Sequence, residues 1–114
     1  MDGLVPIEAP LANGHVARCR HWPGLLKSES IEDWTRSIPW QQNRITVYGK
    51  THDEPRLTAW FGPAYTYSSI AWPSTQIPVD IQGLNKLIAK TLKCREFDAI
   101  LCNLYRNGQD AMGW

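Results

Sequence analysis

The stretch FDAILCNLYR, residues 97–106, decides how this chain is read. Apolar residues on both alternations predict a strand covered on its two faces. Phe97, Ala99, Leu101, Asn103 and Tyr105 fall on one face; Asp98, Ile100, Cys102 and Leu104 fall on the other. Residues two apart on a strand sit about 7 Å from each other on the same side. Asn103 and Tyr105 therefore stand side by side on a face that is otherwise apolar. Two polar groups there invite a ligand, the alternative being an asparagine satisfied within the protein.

Working back from that strand, VDIQGLNKLIAKTLKC (79–94) has the pattern of an amphipathic helix. Ile81, Leu84, Leu87, Ile88 and Leu92 recur at three- and four-residue spacing, and Lys90 and Lys93 suit the negative end of its dipole. AWPSTQIP (71–78) reads as a loop, and YTYSSI (65–70) as a strand. RITVYGK (44–50) and RLTAWFG (56–62) alternate with period two. With the polar THDEP (51–55) between them, they are expected to pair as one hairpin. SIEDWTRSI (30–38) predicts a short helix capped by Ser30 and Asp33 and ended by Pro39. Residues 1–30 read as an irregular lead, because Pro6, Pro10, Pro23 and several glycines interrupt every periodic run.

The chain of 114 residues suits one domain with a modest core. It is 43% hydrophobic and 20% charged, which excludes wholesale disorder. A net charge of +1 does not mark a bulk polyanion binder, so nucleic-acid binding would need a local basic patch such as Arg44, Lys50 and Arg56. No apolar run is long enough for a membrane span, and MDGLVPIEAPLANGH lacks a signal-peptide pattern. The expectation is an intracellular protein, cytoplasmic in a bacterium and nuclear or cytoplasmic in a eukaryote. Three cysteines (Cys19, Cys94, Cys102) cannot all pair within the chain, and they are read as reduced thiols. His15, Cys19 and His21 share no single face of any regular element, so they are read as part of the lead and not as a metal site. Six tryptophans and four tyrosines serve either a core or the gripping of a planar ligand.

Taken together, PRLTAWFG, YTYSSI and FDAILCNLYRNGQDAMGW resemble the AlkB-type iron(II)/2-oxoglutarate dioxygenases, on the branch that repairs alkylated DNA and RNA. The resemblance covers about residues 38–114 and is densest from Pro55 onward. It implies an α+β chain: an incomplete double-stranded β-helix (jelly roll) with an N-terminal nucleotide-recognition lid and one or two amphipathic helices. The division it implies is a lead over 1–30 and a partial dioxygenase domain over 31–114, made of the lid and the first jelly-roll strands. It also implies a reaction: oxidation of 2-oxoglutarate to succinate and CO2, coupled to hydroxylation of an N-alkyl group on a base.

Position by position, the resemblance implies that Asn103 and Tyr105 hydrogen-bond 2-oxoglutarate. An amide and a phenol on one face can both reach a carboxylate. Tyr65, Thr66 and Tyr67 match a substrate-contacting strand, where aromatic faces hold an extruded base. Tyr48, Gly49 and Lys50 match the segment that approaches the nucleic acid, and Arg56 matches a residue that can take a phosphate. In the family, iron is held by two histidines and a carboxylate, and the turn after the Asn-x-Tyr strand runs into a His-x-Asp pair. These 114 residues hold no such pair after Tyr105, so iron is not expected to bind this chain, which is expected to be inactive alone. His52, Asp53 and Glu54 spell a His-x-Glu, but they precede the Asn-x-Tyr strand and read as a solvated turn.

Two other classes compete with the dioxygenase reading. One is a non-catalytic nucleic-acid-binding module that keeps the lid and its tyrosines. The other is a small β-rich protein whose aromatics bind a different planar ligand, such as a sugar.

Overall fold

A computed structural model describes residues 4–67 and 70–111, with the side chain of Tyr67 outside the described residues. The chain divides into two compact units, residues 1–37 and 38–114.

In the first unit, β1 (Val5–Pro10) pairs antiparallel with β2 (Val16–His21), in a register that sets Val5 opposite His21. Regular strands thus stand where an irregular lead was expected. Among the described residues each strand has one neighbour, so Pro6 and Pro10 need not donate on the free edge, which is where proline is tolerated. The helix α1 (Ser28–Ser37) starts two residues before the expected cap. The Ser30 N–H already donates to the Lys27 carbonyl, and Asp33 pairs with Arg36 one turn on. Both residues are spent inside the helix and cap nothing.

The second unit carries the remaining elements. Strand β3 (Arg44–Val47) pairs with β4 (Lys50–Asp53) across a two-residue turn at Tyr48 and Gly49. Both turn residues have positive φ, 51° and 76°, the geometry that matches the right-handed twist of a hairpin. This corrects the expected hairpin: the reversal is at Tyr48–Gly49, and THD continues the alternation as a strand. Thr46 and Thr51 bring their hydroxyls within 3.2 Å, and Arg44 pairs with Asp53 at 3.2 Å.

The hairpin's arms do not end there. The Glu54 N–H donates to the Asn43 carbonyl, and Gln41 exchanges backbone bonds with Thr58. The pairing offset slips by two residues between these points, at Pro55 and Arg56. Beyond the slip lies β5 (Leu57–Phe61), whose other edge pairs antiparallel with β8 (Ile100–Leu104). Thr58 faces Asn103, and Trp60 faces Leu101.

YTYSSI is not one strand. β6 (Tyr65–Tyr67) turns back into β7 (Ile70–Trp72), so part of the expected loop is also strand. The helix α2 (Val79–Leu92) forms as its periodicity predicts, and it ends where Lys93 takes the left-handed conformation. Its buried residues are Ile81, Asn85 and Ala89. The Asn85 side chain both donates to the Phe97 carbonyl and accepts from the Phe97 N–H, at 2.8 Å each. That pair of bonds fixes the helix to the approach of β8. On β5, Ala59 and Phe61 are buried on one face; burying a phenylalanine side chain is worth about 2 kcal/mol. Gly62 follows with φ 141°, and a Cβ there would lie 2.8 Å from the Ala99 Cβ.

The fold is therefore mixed α and β, with two helices and four two-stranded antiparallel ladders among the described residues. No closed double-stranded β-helix forms among the described residues. Leu101 is also about half exposed, so β8 is open on one face where burial on both was expected. With β5 as its only strand neighbour, β8 is an edge strand among the described residues.

Candidate functional site

The open face of the β5–β8 ladder carries Thr58, Trp60, Leu101 and Asn103, because cross-strand partners share a side. Asn103 is half-buried at its centre. Its Oδ1 accepts from the Arg56 Nε at 3.1 Å, and the Arg56 Nη2 donates to the Glu54 Oε2 at 2.7 Å. Arg56 and Glu54 are both buried, 8% and 2% exposed. Ion pairing keeps two charges tolerable in such a place, although the net stabilisation is small once desolvation is counted.

The Glu54 Oε1 is buried with no partner among the described residues. The backbone of Glu54 is clamped: its N–H donates to Asn43, and its carbonyl accepts from the Gln42 side chain at 3.1 Å. Thr58, opposite Asn103, is engaged elsewhere, since its hydroxyl accepts from the Asn43 side chain at 2.9 Å. The Nδ2 group of Asn103 makes no hydrogen bond among the described residues.

Further along the same face, the Trp60 ring stacks on Tyr65, with centroids 4.8 Å apart and planes 23° from parallel. Offset stacking of this kind suits the ring quadrupoles. The indole N–H donates to the Pro63 carbonyl at 2.8 Å, which fixes the ring's orientation. The stack is therefore a held aromatic surface, and Tyr65 remains 44% exposed. Thr66 is exposed on the same short strand.

Tyr105 lies one residue past the end of β8 and is 45% exposed. After it the chain folds back tightly. The Arg106 N–H and Nε both donate to the Asp110 Oδ2, and Nη2 donates to Oδ1, at 2.8–3.0 Å. These bonds hold the Asp110 carboxyl below its ordinary range, the side-chain bonds from Arg106 counting most. The Ala111 N–H then donates to the Pro55 carbonyl, returning the turn to the residue between Glu54 and Arg56. On the opposite face of β8, burial pushes the Cys102 thiol up.

The expected residues thus fall into two groups, with Tyr105 just past the end of β8. Asn103 and Arg56 touch, and Tyr65 joins their ladder face through Trp60. Tyr48, Gly49 and Lys50 stand at the hairpin tip, where Tyr48 is fully exposed. The Arg56 guanidinium, expected to take a phosphate, is buried and bonds to Glu54 and Asn103. His52 is exposed while Glu54 is buried, and no group of three His, Cys, Asp or Glu able to hold a metal occurs among the described residues. The residues present do not fit an iron centre.

Sequence reading missed Glu54, Thr58 and Trp60. The polar run THDEP concealed Glu54, because nothing in it marks the slip that turns this one carboxylate inward. The alternation of β5 did place Thr58 and Trp60 on one side, but not opposite Asn103.

Comparison with known proteins extends the reach of the similarity. No family model matches the chain. It is 34% identical to the alpha-ketoglutarate-dependent dioxygenase alkB homolog 3 of Bos taurus over 99% of its own length, covering 41% of that protein. The Homo sapiens protein of the same name is 32% identical over 94% of the chain, and the Mus musculus one 29% identical over 94%, each covered to 39%. The chain spans about two fifths of the length of these relatives. The similarity is not confined to residues 38–114 but runs into the first thirty as well.

Proposed function

We propose, from the premise that this chain is AlkB-like dioxygenase sequence along nearly its whole length, that it supplies the cosubstrate-facing and base-facing surfaces of a 2-oxoglutarate-dependent enzyme acting on N-alkylated bases in DNA or RNA. In this reading the jelly roll is the architecture of the longer protein, and the β5–β8 ladder is a piece of its inner wall. The observation that carries the reading is the half-buried Asn103, whose Oδ1 is taken by Arg56 while its Nδ2 group has no partner among the described residues. A half-buried amide donor left open is suited to an anionic ligand such as a carboxylate. Tyr105, two residues on, brings a phenol to the same end of the ladder.

The Trp60–Tyr65 stack is the surface for a flipped base, with Thr66 and Tyr67 beside it in sequence. Tyr48 and Lys50 at the hairpin tip meet the strand beside the lesion, Tyr48 by stacking and Lys50 at a phosphate. The left-handed conformation of Tyr48 supports this assignment. A bulky residue held there costs about 1–2 kcal/mol, and such strain concentrates at functional positions. In the complete centre iron(II) would supply activation of O2, the oxidant for 2-oxoglutarate. The residues described here do not form its ligand set, so no step is routed through it.

Fluorescence titration with single-stranded DNA carrying a methylated adenine tests the reading. Tyr65→Ala is expected to weaken binding about tenfold, the value of one base–aromatic stack. Lys50→Ala should weaken binding regardless of sequence and lower the salt slope by about one. Binding indifferent to Tyr65 and to salt would overturn it. Supplied with iron(II), 2-oxoglutarate and ascorbate, the 114 residues alone are expected to release no succinate above a protein-free blank.

A further inference from the structure

We infer that Glu54 is a positioning residue: acting through Arg56, it fixes which way the Asn103 amide faces, so that Nδ2 and not Oδ1 is presented to the 2-oxoglutarate carboxylate. This rests on the assignment of Asn103 to that cosubstrate.

An asparagine side chain has two nearly isosteric ends of opposite hydrogen-bonding sense. On an open sheet face the two orientations differ little in packing, and only one of them can donate to an anion. A donor facing one end decides the matter. The Arg56 Nε–H can be accepted only by Oδ1, at 3.1 Å, which turns Nδ2 the other way. Thr58, the cross-strand neighbour, accepts from the Asn43 side chain and makes no hydrogen bond to Asn103 among the described residues.

Arg56 needs its own anchor. Its Nη2 lies 2.7 Å from the Glu54 Oε2, with Nε on Asn103, so one planar guanidinium spans both groups. A lysine offers a single point of charge and cannot span them with that fixed geometry. Glu54 is held in turn by backbone bonds from both sides, to Asn43 and from Gln42. The slip in the ladder at Pro55 and Arg56 is what brings these two charged side chains inward together. The Glu54 Oε1 is buried without a partner among the described residues, so there the carboxylate bonds to Arg56 alone.

Nitrogen-15 NMR of the full 114-residue chain tests this through two signals, the Arg56 Nε–H and the Asn103 side-chain amide pair, read with and without millimolar 2-oxoglutarate. In the unaltered chain, the Arg56 Nε–H is expected to exchange slowly and the Asn103 pair to shift on titration. Glu54→Gln keeps the volume and removes the charge. It should speed Arg56 Nε–H exchange and raise the 2-oxoglutarate concentration for half-shift, each about tenfold, the scale of one charge-assisted hydrogen bond. Arg56→Lys keeps the positive charge and should raise the half-shift concentration read from the Asn103 pair by the same factor, with the β5–β8 backbone amides unmoved. That pattern separates positioning from general destabilisation.

If the Asn103 pair of the unaltered chain shifts on titration while its half-shift concentration in Glu54→Gln and Arg56→Lys stays within twofold of the unaltered chain, the positioning role is wrong and the cosubstrate assignment survives. If the Asn103 amide of the unaltered chain ignores 2-oxoglutarate, the cosubstrate assignment itself fails and takes the role of Glu54 with it.

Discussion

Replacing Tyr48 by asparagine should make the β3–β4 hairpin more stable while making the protein a poorer nucleic-acid binder. Tyr48 has φ 51°, followed by Gly49 at 76°, and its side chain is fully exposed. Full exposure means that no burial is lost on substitution. The backbone conformation costs a bulky residue about 1–2 kcal/mol, whereas asparagine tolerates it, and Asn-Gly is the preferred pair for this turn. The net gain should be about 1 kcal/mol, or about fivefold in the local opening equilibrium. Amide hydrogen exchange along β3 and β4 reads it directly: those protons should slow about fivefold in Tyr48→Asn, while the amides of α2 keep their rates. Affinity for the methylated single strand should fall in the same variant. If the hairpin amides exchange at the same rate or faster, Tyr48 is not held at a cost, and the strain-based case for its contact with nucleic acid is lost.

Two further outcomes concern the edges of the site. Gly62→Ala places a Cβ 2.8 Å from the Ala99 Cβ and 3.1 Å from the Asp98 carbonyl, at a φ of 141° that alanine rarely adopts. It should destabilise the second unit by about 1–3 kcal/mol and disturb the entry to β8, seen as faster exchange of the Ile100–Leu104 amides. The Arg106–Asp110 clasp should be sensitive to acid. The folded pKa of Asp110 is depressed, so its contribution is complete above the unfolded value near 3.8 and is lost as pH falls through the lower folded value. An NMR titration of the Arg106 backbone amide should show a midpoint below that of a free aspartate. A midpoint at or above it would mean that the clasp does not persist in solution.

Much of this molecule was legible from local pattern. The three- and four-residue spacing from Ile81 to Leu92 specifies α2 because one helical face must leave water. The period-two alternation of Leu57–Phe61 and the apolar run of Ile100–Leu104 specify strands, and the Asn-x-Tyr spacing sets two polar side chains at the end of β8. The order of PRLTAWFG, YTYSSI and FDAILCNLYR is similarly a property of the chain alone.

Pairing partners were not legible. Alternation says which face a residue occupies and nothing about which strand lies beside it, so β5 was matched to β3 when its long partner is β8. The Tyr48–Gly49 turn lacked the usual Asn-Gly signature, which left the reversal to be placed at THDEP. Glu54 illustrates the same limit more sharply. In sequence it is one more charge in a polar run, and only the slip at Pro55 and Arg56 carries it inward beside a guanidinium. Local periodicity fixes elements because it depends on neighbours within a few residues. The environment of a buried charge depends on chain segments 47 residues apart, as Arg56 and Asn103 are, and only tertiary packing decides that they meet.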